Sequence, residues 1–205
     1  EKNVFATDVN QFKMPSLADI RGQPQITDKL SVYVAAQSNA KSSSKNPDSS
    51  AGPFLFTGPS GVGKTMTAKA FDADLGNRHL VETNGVTMNS KPELYSTLLD
   101  VDGNSTLFID EAHGMNSETQ LILLTALSER TLRVPAGKSR YHSIPLANFT
   151  VILATTDEYM LSEPLRNRMR VECRFKAYSV EDLVQIIRQR VEALNWHYES
   201  SDVLL

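Results

Sequence analysis

Eight consecutive residues, Gly58-Pro59-Ser60-Gly61-Val62-Gly63-Lys64-Thr65, have the types and the spacing needed to hold a polyphosphate. They fit the pattern G-x-x-x-x-G-K-[ST]. The glycines leave backbone N–H groups free to wrap around phosphate oxygens, Lys64 supplies a point charge for the β/γ-phosphates, and the Thr65 hydroxyl can ligate Mg²⁺. The flanks agree with that reading. Pro53-Phe54-Leu55-Phe56-Thr57 is a short apolar run suited to a buried strand, and Met66-Thr67-Ala68-Lys69-Ala70-Phe71 suits a helix. The loop therefore sits at a strand-to-helix junction, where a helix N-terminus favours anions. The competing reading is a Gly-rich surface turn, which requires neither the Lys-Thr pair nor this context.

A second constellation lies at Thr106-Leu107-Phe108-Ile109-Asp110-Glu111, where an apolar strand ends in two carboxylates. Ligands of open parallel sheets bind at the carboxyl ends of strands. Asp110 can hold the Mg²⁺ that bridges nucleotide phosphates, and Glu111 can orient or deprotonate the attacking water. An acidic pair after a strand can also merely complement a helix dipole. Downstream of a phosphate loop, hydrolysis is the stronger expectation.

The elements that must position these residues follow from pattern. With 205 residues, 40% of them hydrophobic and 22% charged, the chain can form one α/β domain plus a small appendage. Its formal net charge of −3 argues against a domain that grips nucleic acid by itself, and nothing approaches the ~20 apolar residues of a membrane span. Cytoplasmic residence is the expectation, since no signal-peptide pattern follows Glu1. The single Cys173 excludes an intrachain disulfide, and His79, His113, His142 and His197 lack zinc-ligand spacing. Gln25 to Ala36 is a helix candidate, and the polar stretch Asn39 to Gly52 reads as a surface loop. Further strands are expected at Leu80–Thr83, Thr106–Ile109 and Thr150–Ala154, the last two as buried members of a parallel sheet. Ser117 with Gln120 forms a capping-box signature ahead of Leu121, Leu124 and Leu127. Ser179 and Asp182 open a helix with Leu183, Ile186, Ile187, Val191 and Leu194 as its apolar positions, and a domain boundary is placed near Ala177. Arg133 to His142 has the turn residues and flanking Val, Tyr and Ile of a projecting hairpin, with Pro135 limiting its pairing.

In order, GPSGVGKT, LFIDEAH, VILATTDEYMLSEPLRNRMR and the start of a helical lid resemble the AAA+ ATPases. From Leu17-Ala18-Asp19-Ile20-Arg21-Gly22-Gln23-Pro24-Gln25 to about Arg190, the chain is similar to the ATPase core of the RuvB family, which drives Holliday-junction branch migration in recombination and repair. The resemblance implies an AAA+ P-loop α/β core over residues 1–177 and the beginning of a helical lid over 178–205. It implies ATP with Mg²⁺, with Met66, Ile20 and Tyr178 beside the nucleotide in addition to the loop residues. Thr156 matches sensor 1, whose hydroxyl holds the lytic water or the γ-phosphate; its plainer role is a strand-end cap. Arg168 matches the arginine finger given to a neighbouring subunit's site, although an arginine pair near a helix end can equally be a solvated cap. The implied assembly is a homo-oligomeric ring of six. Branched DNA would be held by a C-terminal winged-helix domain outside these residues, and a RuvA-like partner would meet the hairpin 133–142. The chain departs from the family in several places. Ile20 replaces an aromatic residue, Lys13 stands near an expected Arg, and Arg170 follows Met169 where a Phe-Gly pair is usual, leaving Arg166 and Arg170 as alternative fingers. A clamp-loader subunit, a protein unfoldase or an ATP-gated assembly module are the competing functions.

Overall fold

The computed structural model describes residues 16–42, 51–76, 79–137, 140–194 and 196. Its centre is a five-stranded parallel sheet in the order β2-β3-β6-β1-β7. The strands are β1 (Phe54–Thr57), β2 (His79–Asn84), β3 (Ser105–Asp110), β6 (Thr150–Thr155) and β7 (Val171–Arg174). A separate antiparallel pair joins β4 (Thr131–Pro135) to β5 (Tyr141–Pro145). Around the sheet lie α1 (Pro24–Ser42), α2 (Lys64–Leu75), α3 (Lys91–Asp100), α4 (Ser117–Glu129) and α5 (Glu163–Arg168), and α6 (Val180–Ala193) follows β7.

Alternation along the strands divides the core into two layers, because successive strand residues face opposite sides of a sheet. Leu55, Leu107, Ile109, Val151 and Leu153 pack with Leu94 and Leu98 of α3 and Leu123 and Leu127 of α4. Phe54, Phe56, Phe108, Ile152 and Ala154 pack with Leu30 of α1 and Ala68 and Phe71 of α2. In the second layer Phe54 meets the rings of Phe71 and Tyr33 edge-on, with centroids 4.9 and 5.3 Å apart. Strands covered on both faces read as continuous apolar runs, which is why β1, β3 and β6 are visible in the sequence.

Several local expectations shift. Helix α1 continues to Ser42, so the expected loop begins four residues later than Asn39, and residues 43–50 lie outside the described residues. Helix α2 begins at Lys64, inside the motif. Helix α3, with Pro92 in its first turn, and the four-residue strand β7 were not among the elements expected from the sequence. The cap of α4 is Asn116, whose side chain accepts the Thr119 N–H; Ser117 is already helical. Gln120 makes no capping box either. Its buried amide donates to Met115 O and Met160 O and accepts from Ser162 N–H, tying α4 to the segment before α5. At α6, by contrast, Ser179 and Asp182 form the expected reciprocal capping box.

Because the cap is Asn116, Asn116→Ala is expected to destabilise the fold by ~1 kcal/mol while Ser117→Ala stays within ~0.5 kcal/mol. Urea unfolding checks this as a lowered midpoint at constant slope for the first variant only.

Candidate functional site

The loop from Gly58 to Gly63 leaves the carboxyl end of β1 and turns directly into α2. Two of its glycines are dictated by geometry. Gly63 has φ +87°, and a Cβ there would lie 2.5 Å from Tyr178 Oη; Gly58 has φ +145°, and a Cβ would meet Phe175 O at 2.6 Å. No side chain caps the start of α2, so its first amides remain available to an anion. Lys64 is buried, and its ammonium donates to Gly58 O at 2.8 Å and Pro59 O at 2.7 Å. Burial pulls its pKa below that of an ordinary lysine, opposed by the nearby charges of Glu111 and Asp110.

Across the cleft, β3 delivers its carboxylates. Thr65 Oγ1 donates to Asp110 Oδ2 at 2.9 Å, and Asp110 Oδ1 accepts the Glu111 N–H at 2.9 Å. Glu111 itself is left-handed, with φ 44° and ψ 47°, a conformation costing an L-residue ~1 kcal/mol. That kink is held from outside. Gly85 N donates to Asp110 O at 2.8 Å, and a Cβ on Gly85 would collide with Glu111 O. Thr156 Oγ1 lies 3.5 Å from Glu111 Oε2, a weak contact at the limit of a hydrogen bond. His113, set aside in the sequence because no metal spacing involves it, stands 3.3 Å from the same carboxylate oxygen and 2.9 Å from Thr155 Oγ1. Its position inside LFIDEAH was the only available signal.

Two adjoining cavities meet at the loop. One, of about 320 Å³, is lined by Ser60, Lys64, Thr65, Lys69, Asp110 and Glu111. The other, of about 270 Å³, has Ile20, Tyr178, Leu183 and Ile186 in its walls. Gly61, Gly63 and Met66 line both, so the cleft runs continuously from a charged end to a largely apolar end. Tyr178 Oη donates to Val62 O at 2.8 Å, and burial pushes its phenol pKa up. A molecule with a phosphate tail and a flat apolar head matches this division. Pro59 and Val62 take part through their carbonyls. Lys13 lies outside the described residues.

Arg168 lines neither cavity. Its guanidinium donates to Leu127 O at 2.7 Å, near the C-terminus of α4. The Arg166 guanidinium lies over the Tyr159 ring at 5.5 Å, and Arg170 is exposed. The hairpin forms, with Pro135 paired to Tyr141, Arg133 bonded to Glu129, and Tyr141 66% exposed; Lys138 and Ser139 lie outside the described residues. Hydrogen bonding continues past the proline, since Ala136 N–H donates to Arg140 O at 2.8 Å, so Pro135 does not limit the pairing as the sequence suggested.

The family model described as the Holliday junction DNA helicase RuvB P-loop domain matches residues 13–175. Among curated proteins, the Holliday junction branch migration complex subunit RuvB of Rickettsia africae (strain ESF-5) is 33% identical over 182 residues, covering 87% of this chain and 51% of the relative. The same subunit from Koribacter versatilis (strain Ellin345) is 32% identical over 182 residues, covering 87% and 48%. The solved Thermotoga maritima RuvB Holliday junction branch migration motor is 26% identical with a TM-score of 0.73, over 88% of this chain and 54% of that one. The chain thus spans about half the length of the curated relatives it matches. Matched across 163 of its positions, residues 13–175, and carrying the phosphate loop and the acidic strand end into one cleft, the chain belongs to the RuvB P-loop domain family of AAA+ proteins.

Proposed function

We propose that this chain is the ATP-hydrolysing core of a RuvB-type motor that drives branch migration of Holliday junctions in recombination and repair, working as a homo-oligomeric ring. The observation that carries the reading is the Thr65 Oγ1–Asp110 Oδ2 hydrogen bond, with buried Lys64 and the Glu111 carboxylate in the same cleft. Curated relatives named as subunits of the Holliday junction branch migration complex support the substrate.

In this reading the phosphates enter the charged cavity and meet the loop amides from Gly58 to Thr65. Lys64 exchanges its two carbonyl partners for the β/γ-phosphate oxygens, a charge-assisted contact stronger than those it leaves. Thr65 and Asp110 are the residues that would hold Mg²⁺, a hydroxyl and a carboxylate oxygen being the hard donors that ion takes. When bound, Mg²⁺ neutralises phosphate charge. Glu111 orients and deprotonates the attacking water, and Thr156 steadies that water or the γ-phosphate. The base occupies the apolar cavity against Ile20, Met66 and Tyr178. Residues 178–205 begin the lid, and the cavity wall formed by Leu183 and Ile186 supports that role. Arg168 serves the neighbouring subunit's site; its position away from this chain's own cleft supports action in trans. The hairpin, with exposed Tyr141 and the basic Arg133 and Arg140, meets a RuvA-like partner, and branched DNA is held by a domain outside these residues. The protein acts in the cytoplasm. Among the described residues, no helix is long and apolar enough to cross a membrane.

Three measurements test this. Lys64→Ala is expected to weaken ATP binding by ~10²-fold or more in calorimetry, since a charge-assisted contact is lost; unchanged affinity in a folded variant would refute the assignment. Glu111→Gln in the full natural chain keeps nucleotide affinity while turnover falls by ~10²-fold or more, because an amide cannot act as a base. Mixing Arg168→Ala with Glu111→Gln subunits, each inactive alone, restores hydrolysis wherever an intact Glu111 faces an intact Arg168. No recovery in mixtures shown by sedimentation to co-assemble would exclude a trans-acting Arg168.

A further inference from the structure

Thr155 Oγ1, fully buried at the end of β6, has three polar neighbours: Asp157 O at 3.0 Å, Asp157 N at 3.0 Å and His113 Nδ1 at 2.9 Å. A hydroxyl has one proton and two accepting lone pairs. Donation to Asp157 O uses the proton, and the Asp157 N–H occupies one lone pair. What remains can only accept. The third contact therefore requires a hydrogen on His113 Nδ1. The reverse assignment would turn the Thr155 proton toward His113, remove the bond to Asp157 O, and aim an imidazole lone pair at Glu111 Oε2, 3.3 Å away. At a buried hydroxyl, water does not replace the lost bond.

The ring has a rigid base. His113 sits in the 3-10 turn Ala112–Gly114, whose Ala112 is fully buried and whose Gly114 packs against Gly85 and Val86. Thr155 is fixed by its register with Thr57 of β1. Glu111, by contrast, is 46% exposed at its side chain and, among the described residues, has on its other flank the long contact to Thr156. A carboxylate that free must lose rotamer entropy each time it is aimed.

We propose that His113 is a positioning residue for Glu111, its Nδ1–H anchored on Thr155 and shared with the Glu111 carboxylate so that the carboxylate is held at the mouth of the phosphate cavity. This rests on the reading of Glu111 as the group that orients water. The same anchor reaches the following segment, because Asp157 caps the turn Glu158–Met160 by accepting the Tyr159 N–H. Aim of the base and placement of the chain leading to α5 thus share one hydroxyl.

Long-range ¹H–¹⁵N correlation spectra of the nucleotide-free chain test the donor directly. His113 Nδ1 is expected at the shift of a protonated ring nitrogen, and an unprotonated Nδ1 would overturn the proposal. Turnover supplies the second readout. His113→Asn keeps a donor at the δ position and should stay within ~3-fold of wild type, whereas His113→Gln and His113→Ala should lose ~10- to 100-fold in kcat at unchanged KM, the scale of a small misplacement. Equal losses in Asn and Ala, or a loss confined to KM, would also overturn it. Because the nitrogen spectrum needs no turnover, a full natural chain that assembles yet fails to hydrolyse ATP counts against the functional reading of Glu111 and not against the tautomer.

Discussion

The hydrogen bond from Thr65 to Asp110 spans three strands, and it can form only because those strands end at the same level. In the sheet, Leu55 of β1 and Ile109 of β3 both stand opposite Leu153 of β6, so the three form one row and pack into the same core layer. One residue beyond Ile109, Asp110 is past the last β6 pair and is held in the sheet by Asn84 of β2 alone. Nine residues beyond Phe56, Thr65 returns in the first turn of α2 to meet it at 2.9 Å. A slip of one residue in either pairing would turn Leu55 or Ile109 to the opposite face, which the apolar layers on both sides forbid. Burial of the core thereby sets the geometry of the cleft.

Strain at the site is confined to one residue and is held by packing elsewhere. Glu111 adopts the left-handed conformation immediately after the last strand residue. Its carbonyl accepts the Gly114 N–H at 2.8 Å, and Gly85 closes over it from the end of β2. Such a conformation persists only when its surroundings over-determine it, and here two backbone hydrogen bonds and a close approach that only glycine permits do so. The result is an acid released from the sheet yet anchored one residue from the buried strand.

The apolar end of the cleft depends on a different junction. The Gln23 side-chain amide donates to Lys176 O and accepts the Lys176 N–H, and the Tyr178 ring lies so close to Gly22 that a Cβ there would clash at 2.6 Å. Tyr178 then reaches the loop through Val62 O. Three distant stretches, around Gly22, Val62 and Tyr178, are thus fastened together before α6 begins. That helix buries none of its residues, and it exposes Leu183 and Ile187 at 44% and 41%. Movement of α6 would reshape the apolar cavity while leaving the phosphate end, built on the sheet, unchanged.

Signals that depend on a few neighbouring residues were legible in the sequence. The loop Gly58 to Thr65, the acidic end Asp110-Glu111, the buried strands β1, β3 and β6, the hairpin and the Ser179–Asp182 capping box all follow from local spacing or from unbroken apolar runs. Signals that depend on contact between distant segments were not. Asn116 caps α4 in place of Ser117 while Gln120 bonds to the segment before α5, and β7 pairs with the edge of β1 opposite β6. His113 shows the division most clearly. Its residue type says nothing by itself, since a histidine takes its role from its partners. Those partners are Thr155, 42 residues away, and Glu111, two residues away across a left-handed turn. The sequence by itself determined which chemical groups are present and which strands must be buried; only the tertiary structure decided which of those groups share a hydrogen, because that depends on sheet register and backbone conformation rather than on spacing along the chain.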